Sequence, residues 1–219
     1  MKRLTSNLES IAKQIRRDFS AVDKAREKAL PLCREVIRLS SDAIRSLHRQ
    51  EYDQAEEFLK SARKLLDEID QTVAGYNELT NTGFARDAQK EFAEGSITLA
   101  LVTRKRLPKP AELGVDAPAY LNGMGEAVGE LRRYLLDSMR KGDLSRCEEI
   151  LSDMDDIYGI LVTMDFPDAI TGGLRRTTDV TRGILERTRS DLTLAIRQKE
   201  LEEMLNSLGI KKAKKIRRR

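Results

Sequence analysis

Apolar residues recur every three or four positions along most of the chain, a spacing that places them on one face of an α-helix. The first stripe starts at Leu8, Ile11 and Ile15 and extends to Leu47. Pro31 interrupts it, but the pattern resumes afterwards, so we predict one kinked helix here instead of two helices. No segment alternates polar and apolar residues for long enough to predict a β-strand.

Five further segments share this spacing and are separated by polar, glycine-containing or proline-containing joints. We predict helices at about 52–74, 84–105, 117–140, 144–164 and 169–208. Gly142 is expected to end one helix and Asp143 to cap the next, while Asp168 or Thr171 caps the last. Long helices joined by short turns pack as antiparallel neighbours, so the sequence predicts an all-α bundle.

The composition agrees with a helical protein and shows where positive charge accumulates. Charged residues make up 35% of the 219 residues, aromatic residues make up 5%, and tryptophan is absent, which is typical of long helices. The net charge is only +4, yet the end of the chain, KKAKKIRRR, is basic and contains no acid. We expect residues 1–208 to form the helical domain and residues 209–219 to be a disordered basic tail, with phosphate binding as an alternative role for the tail.

The two cysteines and the hydropathy indicate the compartment. Cys33 and Cys147 are far apart and match no metal-binding spacing, so we expect free buried thiols in a reducing compartment. The sequence has no run of 18 apolar residues and no apolar segment near Met1. We therefore expect a cytoplasmic protein without a membrane partner.

Two glutamates three residues apart are the leading candidates for chemistry. Glu91 and Glu94 lie in the helical segment QKEFAEGSITLAL, where this spacing places both carboxylates on one face, together with the small residues Ala88, Gly95 and Thr98. Clustered carboxylate oxygens are the ligands that hard cations such as Mg²⁺ prefer. The alternative is that each acid pairs with an arginine from a neighbouring helix.

Other acids also interrupt apolar or small faces. Glu130 is the only charge on a face that includes Gly123, and Asp155 breaks a stripe that includes Leu151. Asp156 lies about 100° away from Asp155 on the more solvated side. A buried carboxylate must be paired, protonated or bound to a cation, so these residues join the candidate metal site, with arginine pairing as the alternative.

The sequence lacks the motifs of several other kinds of site. It does contain basic residues that could bind a polyanion next to the acid cluster. His48 is the only histidine, and the sequence contains no P-loop, dinucleotide-binding or zinc motif. Basic residues near a carboxylate cluster suit a polyanion, because lysine and arginine hold the phosphate backbone; solvated helix faces are the alternative. These residues are Arg104, Lys105, Arg106, Arg132, Arg133, Arg175 and Arg176.

With these elements placed, the chain resembles the translin/Trax superfamily in its archaeal form. The resemblance covers nearly the whole length and rests on the segments CREVIRLSSDAIRSLHR, KEFAEGS, YLNGMGEAVGELRR and MDDIYGILVTMDFPD, of which YLNGMGEAVGELRR is the most specific. It implies an all-α protomer of about six to seven helices that assembles into hollow, octameric shells. It also implies binding of single-stranded RNA or DNA and, as in Trax, a Mg²⁺-dependent endoribonuclease, with Mn²⁺ as the alternative ion.

The resemblance also implies roles for particular residues. The Glu-x-x-Glu pair of the Trax metal site matches Glu91 and Glu94, and Glu130 matches the glutamate of the shared Glu-Leu segment. The Trax aspartate falls at Tyr158-Gly159 in this chain, so that match fails. The residues one turn earlier, Asp155 or Asp156, could replace it.

Two functions from different classes therefore remain. In the first, the site residues Glu91, Glu94, Glu130, Asp155 and Asp156 support a metal-dependent endoribonuclease inside a hollow homo-oligomer. In the second, the chain is a non-catalytic, translin-like binder of single-stranded RNA or DNA, and a plain helical scaffold is a weaker third interpretation. The long last helix offers apolar surface for a neighbouring chain through Leu201, Met204, Leu205 and Leu208.

Overall fold

The computed structural model describes residues 5–80 and 82–207, and all regular structure in this part of the chain is helical. The all-α prediction is confirmed. The long helices are α1 (Leu8–His48), α2 (Tyr52–Val73), α4 (Gly83–Val102), α6 (Ala117–Arg140), α7 (Cys147–Val162) and α9 (Leu174–Ser207). The single-turn helices are α3 (Asn77–Thr80), α5 (Pro110–Leu113) and α8 (Asp168–Thr171). Leu208 and the predicted basic tail, residues 209–219, lie outside the described residues.

The helices group into two compact units that divide within α6, between Met124 and Gly125. In the first unit, α1 packs along both α2 and α4, and α2 also packs on α4. The two glutamate-bearing turns of α4 are buried on nearly every side, and the helix is accordingly rich in alanine, glycine and β-branched residues. A helix that is buried all round lacks a polar face, which explains the small and apolar composition of this segment.

The helix α1 continues through Pro31, as the resumed pattern predicts. Pro31 is exposed, and the residues that follow it are anchored by the buried side chains of Cys33, Val36 and Leu47. Packing against two neighbouring helices therefore outweighs the loss of one backbone hydrogen bond. The beginning of α1 differs, because its stripe of large apolar residues is exposed in the single chain. These residues are Leu8, Ile11, Ile15 and Phe19.

In the second unit, α9 packs against α7 and against the distal part of α6. Close contact with α6 is made at Gly125, whose carbonyl accepts a hydrogen bond from the Thr181 hydroxyl at 3.3 Å. Two turns further along α6, Arg132 donates to the Thr188 hydroxyl at 3.0 Å and to the Asp191 carboxylate at 2.7 Å. The core of this unit is formed by apolar side chains from all three helices: Leu131, Leu135, Ile150, Met154, Leu185 and Leu192.

The last helix begins later than its periodicity predicts. The segment after Pro167 forms only the single turn α8, which ends at Gly172, and α9 starts at Leu174. Gly172 and Gly173 have positive φ values of 64° and 85°, a conformation that glycine adopts without strain and that ends a helix. Thr171 consequently ends the short helix and does not cap the long one.

Two other helix ends also differ from the sequence prediction. The joint at Gly142 is present, with φ of 78°, but α7 starts at Cys147 because the Asp143 carboxylate accepts from the Ser145 amide at 3.0 Å and organises an intervening turn. The helix α4 ends at Val102, so the basic residues that follow lie on the connection to α5 instead of on the helix.

Both cysteines are free and buried, as predicted. Burial raises the pKa of the Cys33 thiol to about 11 and also raises the pKa of the Cys147 thiol. No helix within residues 5–80 or 82–207 combines the length and the apolar character needed to cross a membrane.

We expect Gly125→Ala to destabilise the protein by about 1–3 kcal/mol, because the new methyl group would overpack the contact between α6 and α9. A Cβ atom at this position would lie 2.4 Å from Cγ2 of Thr177. Chemical denaturation measures the free energy of unfolding.

Gly129→Ala is the matched control on the same helix, because its Cβ atom would meet only Cδ1 of Ile184 at 3.9 Å. There the gain in helix propensity should raise stability by up to about 1 kcal/mol. Equal effects of the two substitutions would contradict a close contact between α6 and α9 at Gly125.

We expect both thiols to resist alkylation in the folded protein at mildly alkaline pH. The thiolate is the reactive form, and a pKa near 11 for Cys33 leaves only about one thiol in a thousand ionised near pH 8. Mass spectrometry after iodoacetamide treatment should show slow labelling of the native chain and fast labelling in denaturant. Rapid native labelling of Cys33 would show that the site opens far more often than its burial implies.

Candidate metal centre

The centre of α4 carries the two glutamates that the sequence singles out. Glu94 is only 9% exposed, and Glu91 is partly buried one turn before it. Their neighbours on the helix face are small, and a Cβ atom added at Gly95 would lie 3.2 Å from Cδ2 of Leu59. The hydroxyl of Thr98, which is fully buried, donates to the backbone carbonyl of Glu94 at 2.7 Å. The acids are thus held on a rigid and closely packed helix.

A glycine in α6 allows that helix to approach α4 next to these acids. A Cβ atom at Gly123 would lie 2.6 Å from the Lys90 carbonyl oxygen and 3.0 Å from the Glu94 amide nitrogen. Both are backbone atoms, which cannot move aside as a flexible side chain can. Only glycine permits this backbone-to-backbone approach.

The approach of α6 to α4 also brings a third acid next to the two glutamates of α4. Glu126 lies three residues after Gly123, so it projects from the same side of α6. Glu91, Glu94 and Glu126 each place one carboxylate oxygen within 4.8 Å of the others. Among residues 5–80 and 82–207, no other three acidic, histidine or cysteine side chains lie close enough together to share an ion.

The donor set fits a hard divalent cation. Three carboxylates provide only oxygen ligands and a formal charge that one Mg²⁺ or Mn²⁺ would largely neutralise. Oxygens bound to one Mg²⁺ are separated by about 3–4 Å, so small side-chain rotations would bring this group to coordination distance. The ammonium of Lys90 lies 3.7 Å from Oε1 of Glu91 and provides partial compensation for the negative charge.

The remaining predicted site residues are not members of this group. Glu130 is partly buried and lies 3.9 Å from the guanidinium of Arg133. Asp155 does not interrupt a buried face in the single chain, because its side chain is 56% exposed and accepts a hydrogen bond from Arg189 at 2.9 Å. Asp156 is exposed as well.

Periodicity did not single out Glu126, and its sequence context offers only an indirect signal. Its segment, NGMGEAVGE, places a glutamate three residues after a glycine, and the Glu91–Glu94 pair has the same spacing. A search for acids that interrupt apolar stripes selects Glu130, because Ala127 and Gly123 share its face. The signal for Glu126 is instead the close approach that Gly123 permits, which requires knowledge of the neighbouring helix.

The predicted phosphate-binding residues are mostly exposed and differ in how firmly they are held. Lys105 pairs with Glu56 at 3.0 Å and Arg106 with Glu112 at 2.7 Å. Arg132 is bound to α9 by the two hydrogen bonds described above, so it contributes to the fold. The exposed members of the set are Arg104, Lys105, Arg106, Arg133, Arg175 and Arg176.

Comparisons with known proteins place the chain in a family. No protein-family model matches it. An uncharacterized protein of Methanocaldococcus jannaschii is 31% identical over 193 residues, which cover 86% of this chain and 84% of that protein. The structure of AfC3PO in complex with duplex RNA has a TM-score of 0.77 at 34% identity and covers 85% of this chain and 97% of that one. The chain belongs to the translin/Trax family.

Other members of the translin/Trax family support the same fold. The crystal structure of AfC3PO without RNA has a TM-score of 0.76 at 33% identity, again over 85% of this chain and 97% of that one. The crystal structure of apo-NeC3PO, at 19% identity over 87% of this chain and 97% of that one, has a TM-score of 0.74, which shows the fold alone. The resemblance found in the sequence is therefore confirmed for the family and for the all-α architecture.

We expect Gly123→Ala to weaken the packing of α6 on α4 and to separate Glu126 from its two partners. The substitution should lower stability by about 1–3 kcal/mol and should reduce the rise in melting temperature that we expect Mn²⁺ to produce in the parent protein. Differential scanning fluorimetry with and without Mn²⁺ measures both effects.

Gly159→Ala on α7 provides the control, since a Cβ atom there meets no atom within 4 Å. That variant should keep the full Mn²⁺ response. If Gly123→Ala is stable and responds to Mn²⁺ as the parent does, the helix contact does not organise the acids.

Proposed function

We propose that this translin/Trax-family chain binds RNA and cleaves it as a metal-dependent endoribonuclease. The convergence of Glu91, Glu94 and Glu126 on one point is the observation that carries the catalytic part of the proposal. The nucleic-acid part is supported by AfC3PO, which is 34% identical and is described in a complex with duplex RNA. Because that complex contains a duplex, both single-stranded and double-stranded RNA are candidate substrates, with single-stranded DNA as a possible ligand.

The three glutamates would hold a Mg²⁺ or Mn²⁺ ion through one oxygen each. When bound, such an ion lowers the pKa of a water ligand and stabilises negative charge on a phosphate under attack. The buried Glu94 fixes the inner side of the site, and Glu91, which is partly exposed, forms its outer side. The ammonium of Lys90, next to Glu91, is placed to attract a phosphate toward the carboxylates.

The proposal retains the hollow homo-oligomer, with an octamer as its form. Two exposed apolar stripes of the single chain support association, one at the start of α1 and one near the end of α9. The first comprises Leu8, Ile11, Ile15 and Phe19, and the second comprises Leu194, Leu201, Met204 and Leu205. Stripes of this kind on long helices are suited to burial against other copies of the same chain.

A non-catalytic RNA-binding protein is the second candidate. Two observations favour it: Lys90 partly neutralises Glu91, and Asp155, the residue considered as a replacement for the Trax aspartate, pairs with Arg189. In that case the three glutamates would stabilise the fold with or without a cation, and RNA would be bound and left intact.

We expect Glu91→Gln, Glu94→Gln and Glu126→Gln each to lower the rate of RNA cleavage by about a hundredfold or more. Removing a metal ligand forfeits several kcal/mol of transition-state stabilisation, and each 1.36 kcal/mol changes the rate by about tenfold. Gel analysis of a labelled oligoribonucleotide, with Mg²⁺ or with excess EDTA, measures the rate. EDTA should abolish cleavage by the parent protein.

Glu57→Gln is a suitable control, because Glu57 is exposed and only pairs with Lys60 on the surface. The variants Glu130→Gln, Asp155→Asn and Asp156→Asn test the additional ligands that the sequence suggests. Binding of RNA without cleavage, unaffected by EDTA, would favour the non-catalytic candidate, and unimpaired cleavage by Glu126→Gln would exclude the proposed three-glutamate site.

A further inference from the structure

The first half of α1 and the end of α2 form an open groove of about 1140 Å³. The wall from α1 is strongly basic and is formed by side chains that the sequence-based interface does not include. These basic residues are Lys13, Arg16, Arg17, Lys24 and Lys28. The wall from α2 contributes Gln71, Thr72 and one acid, Glu68. The groove belongs entirely to the first unit of the chain.

The basic residues form a row because of their spacing in the sequence. Lys13, Arg17, Lys24 and Lys28 are separated by four, seven and four residues, which returns each one to nearly the same side of a helix with 3.6 residues per turn. From the first to the last, the row extends along about 22 Å of helix axis. A row of this kind is suited to a linear ligand with regularly spaced charges.

These charges are not used by the fold. Among the ion pairs of residues 5–80 and 82–207, none includes Lys13, Arg17, Lys24 or Lys28. Arg16 contacts Glu9 at 3.2 Å, but both side chains are well exposed, so the pair is weak. Several like charges that line one concave surface without partners produce a positive potential that attracts anions.

The groove is anchored at its inner end. Ala25 lines it and belongs to a buried cluster with Ala29, Val73 and Leu79, against which the ring of Tyr76 packs. Both walls are therefore attached to one small core, and Lys24 and Lys28 project from turns of α1 that this core already holds in helical form. Preorganisation of this kind reduces the cost of association.

We propose that this groove binds the sugar–phosphate backbone of a nucleic acid. The proposal rests on the RNA binding proposed above and assigns to it a surface separate from the three glutamates. The row of about 22 Å corresponds to about six nucleotide steps at 3.4 Å each, so several phosphates lie within reach of the cations.

A protein ligand fits the groove less well. Protein interfaces depend on large apolar or aromatic anchors at their centre, whereas the groove side of α1 offers serine and alanine between its basic residues. The large apolar residues of this half of α1, such as Ile15 and Phe19, do not line the groove. Positive charge with small neutral spacers is suited to a polyanion whose backbone carries the recognition.

The test compares salt-dependent RNA binding by the full chain and by Lys24→Gln/Lys28→Gln. Fluorescence anisotropy with labelled oligouridine and with an RNA duplex, in EDTA to prevent cleavage, gives Kd between about 50 and 200 mM salt. Loss of two phosphate contacts should reduce the slope of log K against log salt by about 1.4 for the single strand and about 1.8 for the duplex. A slope equal to that of the parent protein would overturn the proposal.

Arg26→Gln/Arg34→Gln is the matched control, because it removes the same charge from exposed positions of α1 that do not line the groove. This control should keep the slope of the parent protein. If both double variants lose the same amount of slope, the effect comes from net charge alone, which would contradict a specific groove. Competition with polyglutamate identifies the ligand class: stronger displacement from the parent by polyglutamate than by RNA would overturn the proposal in favour of an acidic protein.

The same experiment separates this inference from the proposed function. If the parent protein binds RNA and the groove variant binds with an unchanged slope, the groove fails while RNA binding stands. If the parent protein binds neither RNA probe, the proposed function fails and the groove proposal fails with it. Loss of cleavage in the glutamate variants with an unchanged slope of binding would support two separate surfaces.

Discussion

The candidate centre depends on the contact of two helix backbones at Gly123. The space between α4 and α6 is too small for even one methyl group there, since a Cβ atom would be 2.6 Å from a carbonyl oxygen. This contact brings the carboxylate of Glu126 to the two carboxylates of α4. Side chains of ordinary size at the crossing would hold the helix axes at the usual separation of about 8–10 Å and would leave the acids apart.

Burial gives Glu94 a different character from the exposed acids of the chain. Many of the exposed carboxylates pair with a lysine or arginine a few residues away on the same helix, and such pairs contribute little to stability. Glu94 lies at 9% exposure on a helix surrounded by apolar and small residues. A carboxylate at this depth requires compensating charge, and a divalent cation would supply it to all three acids together.

The sequence specified the helices better than it specified the site. Periodicity located the long helices because burial of one face controls them, and it located α6 to the residue. It failed at Gly172-Gly173, where two successive glycines with positive φ end a short helix before α9 begins. It also could not indicate Glu126, since the distance between residues on different helices depends on packing. At Asp155 the pattern suggested a buried acid that the structure does not show. The apolar stripe of α7 that contains it is partly exposed, and Asp155 pairs with Arg189.

The first turns of α1 have an additional thermodynamic property. One side of this stretch carries exposed apolar residues, and the other carries Lys13 and Arg17, which take part in no ion pair within residues 5–80 and 82–207. The single chain therefore has few tertiary contacts that hold this stretch in a helical form. Helical segments with little packing open frequently and at low free-energy cost. Any contact that covers one side restricts this opening and lowers the entropic penalty for a contact on the other side. Self-association through Ile15 and Phe19 and anion binding through Lys13 and Arg17 would thus be positively linked, with each increasing the affinity of the other by the same factor.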